Sequence, residues 1–231
     1  MSARIERVEK RILDFDIENR PLSYWMADRP TADITSIASA WIGDHDSIEV
    51  LLLAPPCYHK GHEEVCPDWP TGMYNQREML ERFLARYNRA DIVTGHYIRK
   101  HDLPIINGAL YDHGLPLLEA KLTSDTKLDM FKKADIPATQ EFLLELLEPK
   151  CPIAIPLEKH HMSQRTWREA NRLGRKGVES TKVRVSTDVH AHWHMREEML
   201  RRGMLRGPRM WNPGGGFSEV SVGRMDSGES K

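Results

Sequence analysis

Leu13-Asp14-Phe15-Asp16-Ile17-Glu18-Asn19 is the stretch on which the reading of this chain turns. Side chains alternate across a β-strand with period two, so Asp14, Asp16 and Glu18 share one face and Leu13, Phe15 and Ile17 share the other. Carboxylates crowded on one face repel each other unless a cation or a basic partner offsets them. Hard oxygen donors of this kind suit Mg²⁺ or Mn²⁺. The plainer reading of the same pattern is the solvated polar face of an edge strand.

Working outward, residues 11–17 are predicted as a strand, and 34–42 and 48–53 as a hairpin turning at Gly43-Asp44. The spacing of Met79, Leu80, Phe83, Leu84 and Tyr87 predicts a helix over 75–87. Residues 91–95 then read as a strand, and 101–111 as a helix with Pro104 in its first turn. Further on, 122–128 reads as a strand edge. Helices are expected over 139–147, 163–173 and 187–205, each opening near a Ser or Thr suited to capping. Strands first, then helix and strand in alternation, then helices describe an α/β fold: a mixed central sheet flanked by helices, with no evident repeat. Residues 1–206 are expected to form one domain. Residues 207–231, with Gly214-Gly215-Gly216 and several serines, are expected as a flexible tail in which Trp211 docks locally, and 55–72 as an interrupted loop.

The 231 residues, 40% hydrophobic and 29% charged, suffice to bury a core and exclude disorder over the whole length. The longest apolar runs, 50–54 and 143–147, are far too short to span a bilayer, and Arg4, Glu6, Arg7, Glu9 and Lys10 interrupt any secretory signal. A cytoplasmic protein without a membrane partner is expected. Cys57, Cys66 and Cys151 show no disulfide framework, which suits a reducing compartment. The net charge of −1 hides an asymmetry: residues 150–209 carry 14 Lys and Arg against 6 Asp and Glu, a net +8, leaving −9 for the rest. Such a segment is either a solvated basic face or a phosphate-binding flank beside an acidic site.

Two further acids stand at suggestive places. Asp91-Ile92-Val93-Thr94-Gly95 leads through His96-Tyr97 to Asp102-Leu103-Pro104, a strand, a glycine turn and a helix whose first turn holds Asp102 at the C-terminal edge of the sheet. An acid there serves as a cap or complements the helix dipole. Asp188 follows Ser186 and Thr187 at an expected helix start, where the same explanation applies.

Taken jointly, the segments say more. Phe15-Asp16-Ile17-Glu18, then Ala90-Asp91-Ile92-Val93-Thr94-Gly95 through Asp102-Leu103-Pro104-Ile105-Ile106, then Ser186-Thr187-Asp188-Val189 resemble the three exonuclease motifs of the DEDD superfamily. The likeness is strongest to the proofreading domains of family B DNA polymerases and their DnaQ-like relatives in bacteria and phages. It runs over residues 11–205, with 84 residues from Glu18 to Asp102 and 86 from Asp102 to Asp188. The resemblance implies a ribonuclease H-like fold in which Asp16, Glu18, Asp102 and Asp188 are the catalytic acids and the ligands of two Mg²⁺ or Mn²⁺ ions. It also implies a 3′–5′ exonuclease acting on phosphodiester bonds at the 3′ ends of single-stranded or frayed nucleic acid, with single-stranded DNA preferred. The setting would be replication proofreading or repair, beside a separate DNA polymerase. Two ions about 3.5–4 Å apart activate a water and stabilise the leaving oxygen in such sites. Tyr97, Arg165, Arg168, Arg172 and Lys176, with Arg175, are the candidate substrate contacts.

The chain also departs from the family pattern. A general base, tyrosine four residues or histidine five residues before the last aspartate, is replaced here by Arg184 and Val183. His190, His192 and His194 follow instead; His192 shares a helical face with Asp188 and is the candidate base. Tyr97 stands where an asparagine is usual and His101 where an aromatic is usual. These departures leave open a weak or inactive exonuclease-like binding module, and an exoribonuclease on short RNA is a further alternative. Cys57, His59, His62 and Cys66 are donor types for a structural Zn²⁺, set against an unliganded loop as the favoured reading. Trp69, Trp167 and Trp193 are either base-stacking platforms or core residues.

Overall fold

A computed structural model describes residues 10–20, 33–54, 72–131, 137–151, 157 and 160–214 of the chain. Among these residues the strands are β1 (Ile12–Asn19), β2 (Ile34–Trp41), β3 (Glu49–Leu53), β4 (Met73–Tyr74), β5 (Ile92–Gly95), β6 (Lys121–Asp125) and β7 (Arg209–Trp211). The helices are α1 (Gln76–Arg89), α2 (Asp102–Asp112), α3 (Gln140–Leu147), α4 (Gln164–Asn171) and α5 (Arg175–Arg201). The strands form one mixed sheet in the order β4-β3-β2-β1-β5-β6-β7. β1, β2 and β3 run antiparallel, β5 and β6 continue parallel to β1, and β7 closes the far edge antiparallel. No described helix is long and apolar enough to cross a membrane.

β1 lies between β2 and β5, which removes the edge-strand reading of its acidic face. Its alternation divides the molecule. Leu13, Phe15 and Ile17 enter the main core with Leu80, Phe83, Leu103 and Ile106 from α1 and α2, and the rings of Phe15 and Phe83 meet at 5.1 Å. On the other face the cross-strand partners of Asp14, Asp16 and Glu18 are Ala40, Ala38 and Ser36. Directly opposed residues of an antiparallel pair share a face. These short side chains leave room beside the carboxylates and let α5 approach, so that Val185, Val189 and Trp193 pack on Ala38 and Ala40.

The largest departure from expectation is α5. It begins at Arg175 and ends at Arg201, whereas a helix over 187–205 was expected, so Asp188 sits in its interior and is not a first-turn acid. Ser186, which suggested a helix start, bonds backwards instead: its Oγ donates to the Val183 carbonyl at 3.0 Å, as Thr181 Oγ1 does to that of Val178 at 2.8 Å. At Gly177 a Cβ would lie 2.1 Å from the Ala170 nitrogen, so glycine is what lets α5 cross α4. β7 lies within the segment expected as a tail. Met210 and Trp211 pair with Leu122 and Lys121, and Trp211 packs on the core. Residues 215–231 lie outside the described residues, as does the loop expected over 55–72 apart from Gly72.

Candidate functional site

Three of the expected acids converge. Asp16 and Glu18 from β1 and Asp188 from α5 each present a carboxylate oxygen, and these oxygens lie within 4.8 Å of one another. Two of the groups arise from the period-two face of β1. The third comes from a helix that the small residues of β2 draw down onto that face. Asp188 is buried and the other two are half-buried. An all-oxygen set so spaced fits a hard divalent cation, because close carboxylates are otherwise self-repelling. The cluster can therefore hold a metal ion.

Asp102 stands apart from this trio, yet close to it. It is the first residue of α2, 2% exposed, and its Oδ1 accepts a hydrogen bond from the Ile17 backbone N–H at 3.3 Å, between Asp16 and Glu18 in the chain. The neighbouring His101 Nδ1 lies 3.5 Å from Asp102 Oδ2. That hydrogen bond raises the imidazole above its ordinary value against the opposing loss of hydration, and the Asp102 and Glu18 charges add to the rise.

The turn that delivers Asp102 is built with little freedom. At Gly95 a Cβ would lie 2.3 Å from Ile98 Cγ2 and 2.8 Å from the Phe15 carbonyl, so the chain end of β5 hugs β1. Tyr97 follows in the left-handed region with φ 72°. Asp125, fully buried, collects this loop: Oδ1 accepts from the N–H groups of Tyr97, Lys127 and Leu128, and Oδ2 from that of Arg99. Asp129 accepts in turn from Arg99 Nη2 at 2.5 Å. Neither acid is singled out by the sequence reading; Asp125 ends β6 and Asp129 follows it, in a TSDTKLD run whose turn chemistry is the available signal.

Asp14, outside the four expected acids, has a defined partner of its own. Both of its oxygens lie 2.8 Å from His192 Nδ1, while His192 Nε2 meets Thr126 Oγ1 at 3.0 Å. Both ring nitrogens of His192 are thus committed, and the side chain is 2% exposed, a buried strut between β1 and the segment after β6. Thr126 Oγ1 continues to His96 Nδ1 at 3.0 Å, and His96 Nε2 donates to the Ala138 carbonyl at 3.0 Å. One polar chain thus joins β1, α5 and the segments after β5 and β6. Arg196, one turn beyond His192, is buried too. Loss of hydration lowers its pKa and the Asp14 charge opposes that shift.

Arg184, four residues before Asp188, enters the cluster itself. Its Nε lies 2.5 Å from Glu18 Oε1 and 3.8 Å from Asp188 Oδ2, and Nη1 donates to the His160 carbonyl at 2.9 Å. Its guanidinium carbon lies 5.3 Å from the Trp167 ring centre.

The other candidates are distributed as follows. Arg165, Arg168, Arg172 and Lys176 are exposed on α4, its end and the first turn of α5, with Arg165 paired to Glu169 and Arg175 to Glu179. Arg20 donates to the Asn171 carbonyl at 3.2 Å, which ties the end of α4 to the end of β1. The Tyr97 ring is covered by Lys127 Nζ at 4.0 Å. Trp193 is 1% exposed and stacks on His45 at 4.2 Å, so it is core and not a base platform. Cys57, His59, His62, Cys66 and Trp69 lie outside the described residues. A groove of about 930 Å³ between α2 and β7, lined by Arg99, Lys100, Tyr111, Arg209, Met210 and Trp211 among others, contains none of the four acids.

No family model and no curated protein matches the chain. Among solved structures it is similar to the family B DNA polymerase from the hyperthermophilic archaeon Pyrobaculum calidifontis, with 14% identity and a TM-score of 0.55. The match covers 84% of this chain and 25% of that one, so the chain spans about a quarter of the polymerase's length. At this identity the likeness concerns the fold, and the mixed seven-stranded sheet with its flanking helices is that of an α/β protein, in agreement with a ribonuclease H-like architecture.

Proposed function

We propose that the protein is a metal-dependent 3′–5′ exonuclease that shortens single-stranded or frayed DNA from its 3′ end. The observation that carries this reading is the meeting of Asp16, Glu18 and Asp188 within 4.8 Å, with Asp102 bonded to the backbone between the first two. The three motifs that resemble a DEDD exonuclease supply these same four residues. One structural neighbour is a DNA polymerase, which favours DNA as the strand and a DNA polymerase as the partner in proofreading or repair.

In this reading Asp16, Glu18, Asp102 and Asp188 hold Mg²⁺ or Mn²⁺. The ions would supply charge neutralisation at the phosphodiester, activation of a water and stabilisation of the leaving 3′ oxygen. Asp16 and Glu18, fixed by β1, set one side of the site, and Asp188 approaches from α5. Asp102 orients its carboxylate through the Ile17 N–H. Exposed Arg168, Arg172 and Lys176 flank the α4–α5 junction as phosphate contacts that are indifferent to sequence and weakened by salt. Arg165, paired with Glu169, and Tyr97, under Lys127, have lesser claims.

A second reading is favoured by one specific observation. Arg184 occupies the cluster where the family places a base, and His192 is fully engaged elsewhere, so a strand-binding relative with weak or no cleavage is the alternative. The test is a 5′-labelled single-stranded DNA oligonucleotide incubated with Mn²⁺, beside an RNA of the same sequence, the chelated protein and Asp16→Ala. A ladder shortening from the 3′ end only with metal and intact Asp16 supports the enzyme. Binding of the strand with no shortening supports the binder, and degradation of RNA alone would identify an exoribonuclease.

A further inference from the structure

We propose that Arg184 is an intramolecular counter-ion that competes with divalent cations for Glu18 and Asp188, so that metal entry requires the guanidinium to leave the cluster. The inference rests on the reading that these carboxylates hold a metal ion, and concerns how that site is regulated.

Arg184 and Asp188 are four residues apart on α5 and share one face, so a single helix carries both a metal-binding candidate and its competitor. Nε lies 2.5 Å from Glu18 Oε1 and 3.8 Å from Asp188 Oδ2, and both paired side chains of the shorter contact are about 15% exposed. A charge-assisted bond at that distance and degree of burial is stronger than a surface pair. A carboxylate has lone pairs enough to accept from more than one donor. Charge is the harder constraint, since a divalent ion on Glu18 would stand close to a fixed positive charge in a partly dehydrated site. Nε also stands within reach of both Glu18 and Asp188, where an ion shared by these two carboxylates would sit, so the two cations compete for one place.

The arginine has somewhere to remain when displaced. Nη1 donates to the His160 carbonyl at 2.9 Å and the guanidinium faces the Trp167 ring at 5.3 Å, contacts that involve none of the carboxylates. These hold the side chain at the rim after its bond to Glu18 is broken, beside the exposed cations of α4. With the arginine in place, the acids are compensated and the metal-free fold is stable. With a metal ion bound, the arginine is freed toward solvent and toward an incoming phosphate.

The consequence is a pair of opposite effects from one substitution. Arg184→Gln should bind Mn²⁺ about tenfold or more tightly than the unmodified protein, by analogy with the effect of an adjacent charge on a carboxylate site. The metal-free variant should melt at a lower temperature, because the carboxylates lose their counter-charge, and its rise in Tm on adding Mn²⁺ should exceed that of the unmodified protein. Arg184→Lys keeps one charge without the planar fork, should fold in any case, and should fall between the two. Mn²⁺ binding is measured by titration calorimetry on the full chain, the Arg184→Gln and Arg184→Lys variants, and Asp16→Asn. Tighter binding in both arginine variants, lost in Asp16→Asn, supports the proposal. Binding equal to or weaker than that of the unmodified protein overturns it while leaving the metal site intact. Absence of Mn²⁺ binding in all four proteins overturns the metal reading itself, and this proposal with it.

Discussion

His192 Nδ1 lies 2.8 Å from both carboxylate oxygens of Asp14, joining α5 to β1 across 178 residues of sequence. Asp188 is one helical turn before His192, and Asp16 is two residues after Asp14. The buried pair therefore sets the spacing between two members of the acidic cluster. Asp14→Ala and His192→Ala should each cost about 3–5 kcal/mol, since each strands a buried polar partner. The double variant should cost much less than the sum of the two. Both single variants should also weaken Mn²⁺ binding by about 10–100-fold, as misplaced supporting groups do elsewhere. Urea unfolding and metal titration together check the prediction; additive losses with unchanged metal affinity would show that the pair is merely structural.

Asp102 distinguishes a capping acid from a working one. Its Oδ1 accepts from the Ile17 N–H, and Asp102→Asn keeps an acceptor oxygen there while removing the charge. The variant should retain its fold, with a Tm near that of the unmodified protein, yet lose metal-dependent shortening of a DNA strand. Cleavage at the original rate would reduce Asp102 to a helix-start acid.

Gly95 is where the β5 end approaches β1 most closely. Gly95→Ala places a methyl group 2.3 Å from Ile98 Cγ2 and 2.8 Å from the Phe15 carbonyl. Overpacking of this kind costs about 1–3 kcal/mol, and the strand displaced is the one that carries Asp14 and Asp16. A fall in Tm accompanied by weaker Mn²⁺ binding is expected. Unchanged Tm would mean that the loop relaxes without moving β1.

Stability should depend on pH through two imidazoles, one buried and one exposed. Loss of hydration lowers the pKa of His194 from 6.5, and the nearby His45 lowers it further against the raising effect of Glu197. The unfolded chain then takes up a proton near 6.5 that the folded chain refuses. Stability is accordingly lost as pH falls below 6.5 toward the depressed folded value. His101 has the opposite sign: its raised pKa contributes stability below 6.5, lost as pH rises through the folded value. Thermal melts of His194→Gln between about pH 7 and pH 5 should show a shallower acid loss than the unmodified protein. An equal or steeper slope would exclude His194 as a source.

Much of the fold could be read from local pattern. The alternation in β1 placed its acids on one face, and the spacing of Met79, Leu80 and Phe83 located α1, whose start is held by Asn75 Oδ1 accepting from the Glu78 N–H at 2.8 Å. The start of α5 was not legible. Gly174 gives it no side-chain cap, while Ser186 and Thr187 imitate one in the helix interior. β7 was missed because a three-residue strand at a sheet edge, in a segment rich in Gly and Pro, has no periodicity to detect. At the site, the trio followed from motif order. The Asp14–His192 bond and the entry of Arg184 depend on contacts 166 to 178 residues apart, which no local pattern encodes.

The central claim is that folding brings these acids together around a divalent ion, and a crystal soaked in Mn²⁺ examines it most directly. The anomalous scattering should show manganese bound directly by Asp16, Glu18 and Asp188, with Asp102 facing the same site and the Arg184 guanidinium withdrawn from Glu18. Manganese absent from these carboxylates in crystals of the folded protein, with the site open to the soaking solution, would contradict the account.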